Sequence, residues 1–231
     1  MSSVAVDNHL HRAIRFYQAA IGKKVVMATT GVVLFGYLVG HLLGNLQVYL
    51  GAERMDGYAA FLHATPTLVW SVRVLLLVCV VLHIVASIQL TVLKQEARPI
   101  GYVKQQAIGS SYASRTMIWS GPIIAAFIIY HILDLTTGTV STSQFRELYA
   151  YENLVYSFRR IPVSAFYIFA MVLLGMHLYH GLWSMFQSAG FSHPRYTPVI
   201  RRAAAWVAIV MTAGFISIPI AVMTGLVGAN L

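Results

Sequence analysis

The sequence is poor in charge, and above all in acid. Only 7 of its 231 residues are Asp or Glu and 16 are Lys or Arg, whereas 58% are hydrophobic and the mean hydropathy is +0.70. Soluble domains carry roughly a quarter charged residues, so water-soluble folding is excluded. Disorder is excluded too, because 13 Tyr, 11 Phe and 4 Trp supply more apolar surface than a solvated chain tolerates. The composition indicates a protein that crosses a membrane several times.

Cysteine is almost missing as well. The one cysteine, Cys79, lies inside an apolar run. This excludes a disulfide framework and a thiolate-bound metal or iron–sulfur cluster within this chain. The nine histidines are therefore the obvious supply of metal ligands.

Five apolar runs are long enough to cross a bilayer, since a spanning helix needs about 20 mostly apolar residues. They predict an all-α transmembrane fold, a five-helix bundle forming one domain over residues 1–231. The predicted helices cover about residues 25–50, 67–93, 116–135, 162–186 and 203–227. The first run is too long for a cleavable signal core, so an uncleaved first helix is expected. Aromatic residues in the third connection predict a short interfacial helix there.

The formal net charge of +9 does not indicate a nucleic-acid partner, because the basic residues are spread between apolar blocks and form no single basic face. They report orientation instead, since cytoplasmic connections hold the excess of Lys and Arg. The N-terminal segment and the second and fourth connections hold eleven of the sixteen, and the first and third hold four. This predicts an inner N-terminus and an outer C-terminus.

Four of the five predicted helices carry a histidine near mid-span. Measured from the inner end at about 1.5 Å per residue, His41 and His131 lie about 23 Å deep, and His83 and His177 about 14 Å deep. His180 lies at about 9 Å, mismatched with His83. The depths predict that His41 faces His131 and that His83 faces His177.

Two imidazole pairs, each drawn from two helices at one level, are what two bis-histidine haems need, because haem iron takes axial ligands on opposite porphyrin faces. Small residues beside these histidines would let a flat macrocycle approach the helices. The pattern predicts four ligands to haem iron: His41, His83, His131 and His177.

Each of these features also has a plainer interpretation. A histidine inside a span also serves as a hydrogen-bonded interior group or a proton relay, and the stripe Gly36, Gly40 and Gly44 also fits a helix contact. His180 is either a hydrogen-bonding neighbour of the ligand or the ligand itself. Asp134, near the end of the third helix, is either a proton-handling group or an interfacial residue.

Several short segments lie around the histidines, among them Gly22-Lys23-Lys24, Gly40-His41, Leu82-His83, Arg98-Pro99, Ser111-Tyr112, Tyr130-His131 and His177-Leu178-Tyr179-His180-Gly181-Leu182-Trp183. Together they resemble a known family, the one-chain, two-haem cytochrome b membrane anchor of succinate:quinone oxidoreductase, respiratory complex II. The resemblance runs over most of the chain and rests on the order and spacing of several segments together.

The resemblance implies that His41 and His131 ligate a distal b-type haem and that His83 and His177 ligate a proximal one. It implies a flavoprotein subunit with FAD and an iron–sulfur subunit as partners, docked on the inner face at the basic N-terminus and the loop over residues 94–115. Electrons from succinate would then pass to a membrane quinone, with menaquinone expected. The location implied is the bacterial cytoplasmic membrane.

Two sets of residues are candidates for the quinone site. The outer set, near the distal haem, is Glu53, Asp56, Tyr58, His63 and Arg73. The rival set, on the inner side, is Tyr112, Ser114 and Arg115. Ser114, Arg115 and His180 are also candidate haem neighbours. Ordinary interfacial anchoring explains either set equally well.

Three other functions stay open at this point. The same complex can run as a fumarate reductase. A two-haem b subunit of a membrane formate dehydrogenase or hydrogenase would have similar spectra and a different soluble partner. A haem-free transporter would use the histidines as proton relays.

Overall fold

The computed structural model describes residues 11–12, 14–97, 112–141, 144–229 and 231. Every regular element within these residues is helical. We label the helices α1 (Ala20–Asn45), α2 (Ala52–Ala64), α3 (Pro66–Glu96), α4 (Tyr112–His131), α5 (Ala150–Arg159), α6 (Ile161–Ser188) and α7 (Thr197–Met223). A 3₁₀ segment, Leu46–Leu50, extends α1, and a π-helical segment, Ile132–Thr136, extends α4.

Five of these helices are long and apolar enough to cross a membrane, which confirms the predicted fold class. The candidate spans are Ala20–Leu50, Pro66–Glu96, Arg115–Thr136, Ile161–Ser188 and Thr197–Met223. The last helix begins six residues earlier than predicted. Pro198 occupies its first turn, where the missing N–H costs nothing because that group has no partner within the helix.

Two short helices, α2 and α5, lie at one end of the bundle, which we call the α2/α5 end. The sequence predicted a helix in the third connection, and α5 stands there; its residues Leu154, Val155 and Phe158 are buried, so it packs inward. Helix α2 was not predicted. It contacts α5, and the Asp56 carboxylate at Oδ1 accepts a hydrogen bond from the Tyr151 N–H at 2.9 Å, which satisfies a free donor at the start of α5.

Helix α6 is the centre of the bundle, since it packs extensively on both α7 and α4. Gly175 permits the close approach to α7, because a Cβ there would lie 2.3 Å from Thr212 Oγ1. Helix α3 lies at the periphery: it packs mainly on α1 and buries only Cys79 and Ala86. The bundle therefore consists of an α1/α3 pair set against α4, α6 and α7.

Most buried apolar side chains collect at the α2/α5 end. This cluster joins α2, α4, α5, α6 and α7 with the 3₁₀ segment that follows α1. Its members are Val48, Met55, Phe127, Leu154, Val155, Phe158, Tyr167, Ala170, Met171, Ile218, Ala221, Val222 and Val227. A smaller cluster near mid-bundle joins α1, α6 and α7 through Leu42, Leu178, Ala208 and Met211. The α2/α5 end is thus the best packed part of the described chain.

Candidate functional site

The four mid-span histidines meet in two pairs. The ring centroids of His41 on α1 and His131 on α4 are 5.6 Å apart, with the rings perpendicular. Those of His83 on α3 and His177 on α6 are 6.3 Å apart, with the rings inclined at 51°. These are the pairs that depth alone predicts, and each joins two different helices.

His83 is held by a threonine on the neighbouring helix. Its Nδ1 lies 3.1 Å from Thr30 Oγ1, and that hydroxyl donates to the backbone carbonyl of Val26 at 2.8 Å. The same hydroxyl lies 3.1 Å from the Met27 carbonyl, so its single hydrogen has acceptors within its own helix. With its hydrogen used there, Thr30 would accept from His83 Nδ1, an arrangement that leaves the Nε2 atom of His83 unprotonated.

His180 takes a different environment from His177. Its ring contacts Trp183 edge-on, with centroids 5.4 Å apart, and the Arg201 guanidinium lies over the Trp183 ring at 4.3 Å. Among the described residues, three buried polar atoms in this stretch lack a hydrogen-bond partner: Nδ1 of His177, Nδ1 of His180 and Nε1 of Trp183. The ring that faces His83 belongs to His177.

His41 is packed within its own helix. Tyr37 stacks on it with centroids 5.3 Å apart, and Asn45 Nδ2 donates to the His41 carbonyl at 2.7 Å. The Tyr58 ring covers the same helix one turn on, where a Cβ at Gly44 would lie 2.9 Å from Tyr58 Cε1. Tyr58 on α2 therefore lies close to the His41 pair.

A buried carboxylate lies beside the His131 pair. Asp134 is 1% exposed and accepts hydrogen bonds from Ser141 at 2.7 Å, from Ser157, from Tyr167 at 3.2 Å and from Arg160 at 2.6 Å. Asp134 is thus an ion-paired interior group and not the interfacial residue that one sequence interpretation suggested. No local sequence pattern marks this ion pair, because Arg160 lies 26 residues further along the chain.

The outer quinone candidates do not form one cluster. Asp56 is engaged in holding the start of α5, and the Arg73 guanidinium lies over the Trp70 ring at 5.1 Å. Glu53 and His63 are exposed in the first and last turns of α2. Two of the five candidates lie near the outer histidine pair. Tyr58 packs against α1 beside His41, and Arg73 lies within electrostatic reach of Tyr37, whose ring stacks on His41.

The inner candidates lie at the opposite end of the bundle. Tyr112, Ser114 and Arg115 form the first turn of α4, and Arg115 is exposed. Arg98 and Lys104, two of the basic residues in the predicted docking loop, lie outside the described residues.

One basic residue of the predicted inner face is internal. Lys23 is 8% exposed, and its Nζ donates to the carbonyls of Tyr17 at 3.1 Å and Gln18 at 2.7 Å. Lys23 therefore caps the helical turn before α1 and does not belong to the free basic surface, whereas its neighbour Lys24 is exposed.

Both histidine pairs fit haem iron. Metal–imidazole bonds of about 2 Å on opposite sides of an iron place the two ring centroids roughly 6 Å apart, and the observed 5.6 and 6.3 Å lie on either side of that value. Gly36, Gly40 and Gly181 leave open space, since a Cβ on any of them would meet no atom of the described part of the chain within 4 Å. The buried indole N–H of Trp183 is a donor only, so an acceptor such as a cofactor carboxylate would suit it.

A family model provides the comparison with known proteins. The succinate dehydrogenase/fumarate reductase transmembrane subunit model matches residues 94–217, which include His131 and His177. Neither a curated protein nor a solved structure matches the chain. The matched segment is more than half of the 231 residues, and it contains α4, α5, α6 and most of α7. The chain belongs to the family of succinate dehydrogenase/fumarate reductase transmembrane subunits.

Proposed function

We propose that the chain is the two-haem cytochrome b anchor of a succinate:quinone oxidoreductase, which passes electrons from an iron–sulfur subunit to a membrane quinone. The observation that carries the proposal is the meeting of four histidines from four spanning helices in two pairs. Family membership supports an anchor role in a succinate dehydrogenase or fumarate reductase complex.

The histidines hold the cofactors in this proposal. His41 and His131 would bind a distal b-type haem, and His83 and His177 a proximal one. Haem supplies reversible one-electron transfer when it is bound. The protein's own contribution is to orient the ligands, and at His83 the Thr30 hydroxyl does so by keeping the proton on Nδ1.

The soluble partners would dock at the end of the bundle opposite to α2 and α5. That end would face the cytoplasm of a bacterial cell, an orientation that the excess of Lys and Arg supports. Arg15, Lys24 and Lys94 are exposed there. The partners would be a flavoprotein with FAD and an iron–sulfur protein. The inner histidine pair, His83 and His177, is the nearer of the two pairs to this surface.

The quinone would be reduced at the α2/α5 end, close to the outer histidine pair. Tyr58 supports this location, because its ring lies against α1 one turn from His41. Electrons would then move outward across part of the bilayer, where the membrane potential contributes about 2.3 kcal/mol per charge and 100 mV for a full crossing. Such coupling suits a low-potential quinone such as menaquinone.

A spectrum of the purified complex tests the proposal. The reduced-minus-oxidised spectrum should contain a b-type α-band, and succinate should reduce the haem when the flavoprotein and iron–sulfur subunits co-purify. His83→Ala and His177→Ala should each remove one haem and spare the other. His180→Ala is the matched control and should retain both. A preparation without any α-band would refute the proposal, and haem loss confined to His180→Ala would refute the ligand assignment.

A further inference from the structure

Tyr167 occupies the space between the buried carboxylate and the outer histidine pair. Its hydroxyl oxygen lies 3.2 Å from Asp134 Oδ2 and 3.4 Å from His131 Nδ1. We infer that Tyr167 is a positioning residue for His131, which it holds with the proton on Nδ1 and the lone pair of Nε2 free for iron. This inference rests on the proposed haem function.

The direction of the Tyr167 hydrogen bond follows from the carboxylate. An ionised Asp is acceptor-only and offers about four lone-pair sites. Ser141 and Arg160 donate to Oδ1 of Asp134, and Ser157 donates to Oδ2. Tyr167 supplies the fourth donor, so its single hydrogen is used on Asp134.

The remaining lone pairs of Tyr167 then face His131. An oxygen whose hydrogen is already used can only accept, so the Nδ1 atom of His131 must be the donor. Neutral imidazole carries one proton, which leaves Nε2 bare. This is the state that a metal-ligating histidine needs, and such histidines usually donate their other N–H to a fixed acceptor.

The tyrosine ring is itself locked in place. Tyr167 is 5% exposed and packs edge-on against Phe158 and Phe127, with ring centroids 4.8 and 5.0 Å away. It cannot swing away without opening the core cluster at the α2/α5 end. The hydroxyl therefore keeps a fixed position relative to His131.

The two histidine pairs differ in the hydrogen-bonded groups that support one histidine of each pair. His83 donates to Thr30, whose own hydrogen goes to a neutral peptide carbonyl. His131 donates to Tyr167, whose hydrogen goes to a carboxylate. A carboxylate behind the ligand raises imidazole basicity, so the outer iron should be held more strongly in its ferric form than it would be without this chain of hydrogen bonds.

Tyr167→Phe tests the inference in the intact complex. The change removes one hydroxyl and keeps the ring contacts. Loss of such a support typically changes metal affinity by 10–100-fold, and a tenfold loss of ferric over ferrous preference raises a one-electron potential by about 59 mV. A redox titration should show the outer haem shifted upward by about that amount, with the inner haem unchanged.

Tyr130→Phe is the matched control. Tyr130 lies in the same aromatic cluster, 6.1 Å from Tyr167 between centroids, and it has no hydrogen bond to His131 within the described residues. Its replacement should leave both potentials unchanged. The outer haem is identified as the component lost in His41→Ala.

The outcomes separate the two proposals. A wild-type protein without haem would refute the proposed function. Two haems in the wild type, with no shift in Tyr167→Phe or an equal shift in Tyr130→Phe, would refute the role of Tyr167 alone. A second measurement needs no variant: in oxidised wild-type protein, the Nδ1 proton of His131 should be detectable and should exchange slowly in heavy water. Rapid exchange would also contradict the inference.

Discussion

Replacing Arg160 with Met should destabilise the protein much more than the same replacement at Arg146. Both arginines pair with a carboxylate in the segment around α5, but Asp134 is fully buried whereas Arg146 and Glu152 have side-chain exposures of 59% and 20%. An exposed ion pair contributes about 0–1 kcal/mol. The Arg160 variant instead leaves a carboxylate in the interior without its counter-charge.

The magnitude follows from the surroundings of Asp134. Removing one partner of a buried ion pair costs about 3–5 kcal/mol. Ser141, Ser157 and Tyr167 continue to donate to the carboxylate, and Arg160 is itself 36% exposed, so we expect the lower end, about 3 kcal/mol. At about 2–4 °C per kcal/mol for a chain of this size, Tm should fall by roughly 6–12 °C.

Cys79 supplies the assay. It is the one cysteine of the chain and is 6% exposed, so a thiol-reactive dye reports unfolding of the purified protein during a temperature ramp. Asp134→Asn added to the Arg160 variant should recover part of the loss, because it removes the unpaired charge. Equal Tm values for the Arg160 and Arg146 variants, or no recovery in the double variant, would refute the buried ion pair as a source of stability.

Three further replacements have expected outcomes in the same dye assay. Asp56→Ala should lower stability by about 1 kcal/mol, because α5 loses its remote cap, while succinate-driven quinone reduction stays unchanged; a selective loss of activity would instead return this residue to the quinone site. Gly175→Val should cost about 1–3 kcal/mol through overpacking against Thr212, and a variant as stable as the wild type would contradict the close α6/α7 approach. Lys23→Met should cost about 1–3 kcal/mol through two lost charge-assisted hydrogen bonds, whereas Lys24→Met should stay within about 0.5 kcal/mol; equal losses would contradict the internal role of the first lysine.

The spanning helices and the histidine pairing follow from the sequence because both depend on fixed geometry. Apolar runs of sufficient length must be helical in a bilayer, and a constant rise per residue converts sequence position into depth. His41 and His131 could therefore be matched across 90 residues of chain without knowledge of the loops. The boundary errors in the histidine-bearing helices, such as the start of α1 at Ala20 five residues before the predicted one, were too small to change which depths agree.

The contacts that sequence reasoning missed all depend on loops. The Asp134–Arg160 pair joins residues that are 26 positions apart, and it forms because the end of α4 unwinds into a π-helical segment and the chain returns through Ser141. The Asp56–Tyr151 bond spans 95 positions. Helix α2 buries only Met55, so it gives a weak apolar pattern. None of these has a local signature.

The division of the bundle into an α1/α3 pair and an α4/α6/α7 group has a consequence for biogenesis. Each histidine pair takes one ring from each side: His41 with His131, and His83 with His177. A chain inserted from its N-terminus completes α1 and α3 before either pair can exist. The His41 pair then becomes complete with α4, and the His83 pair becomes complete only with α6. A cofactor bound by residues of both groups would then stabilise their association. Its supply would therefore affect how stably the α1/α3 pair is joined to the later helices.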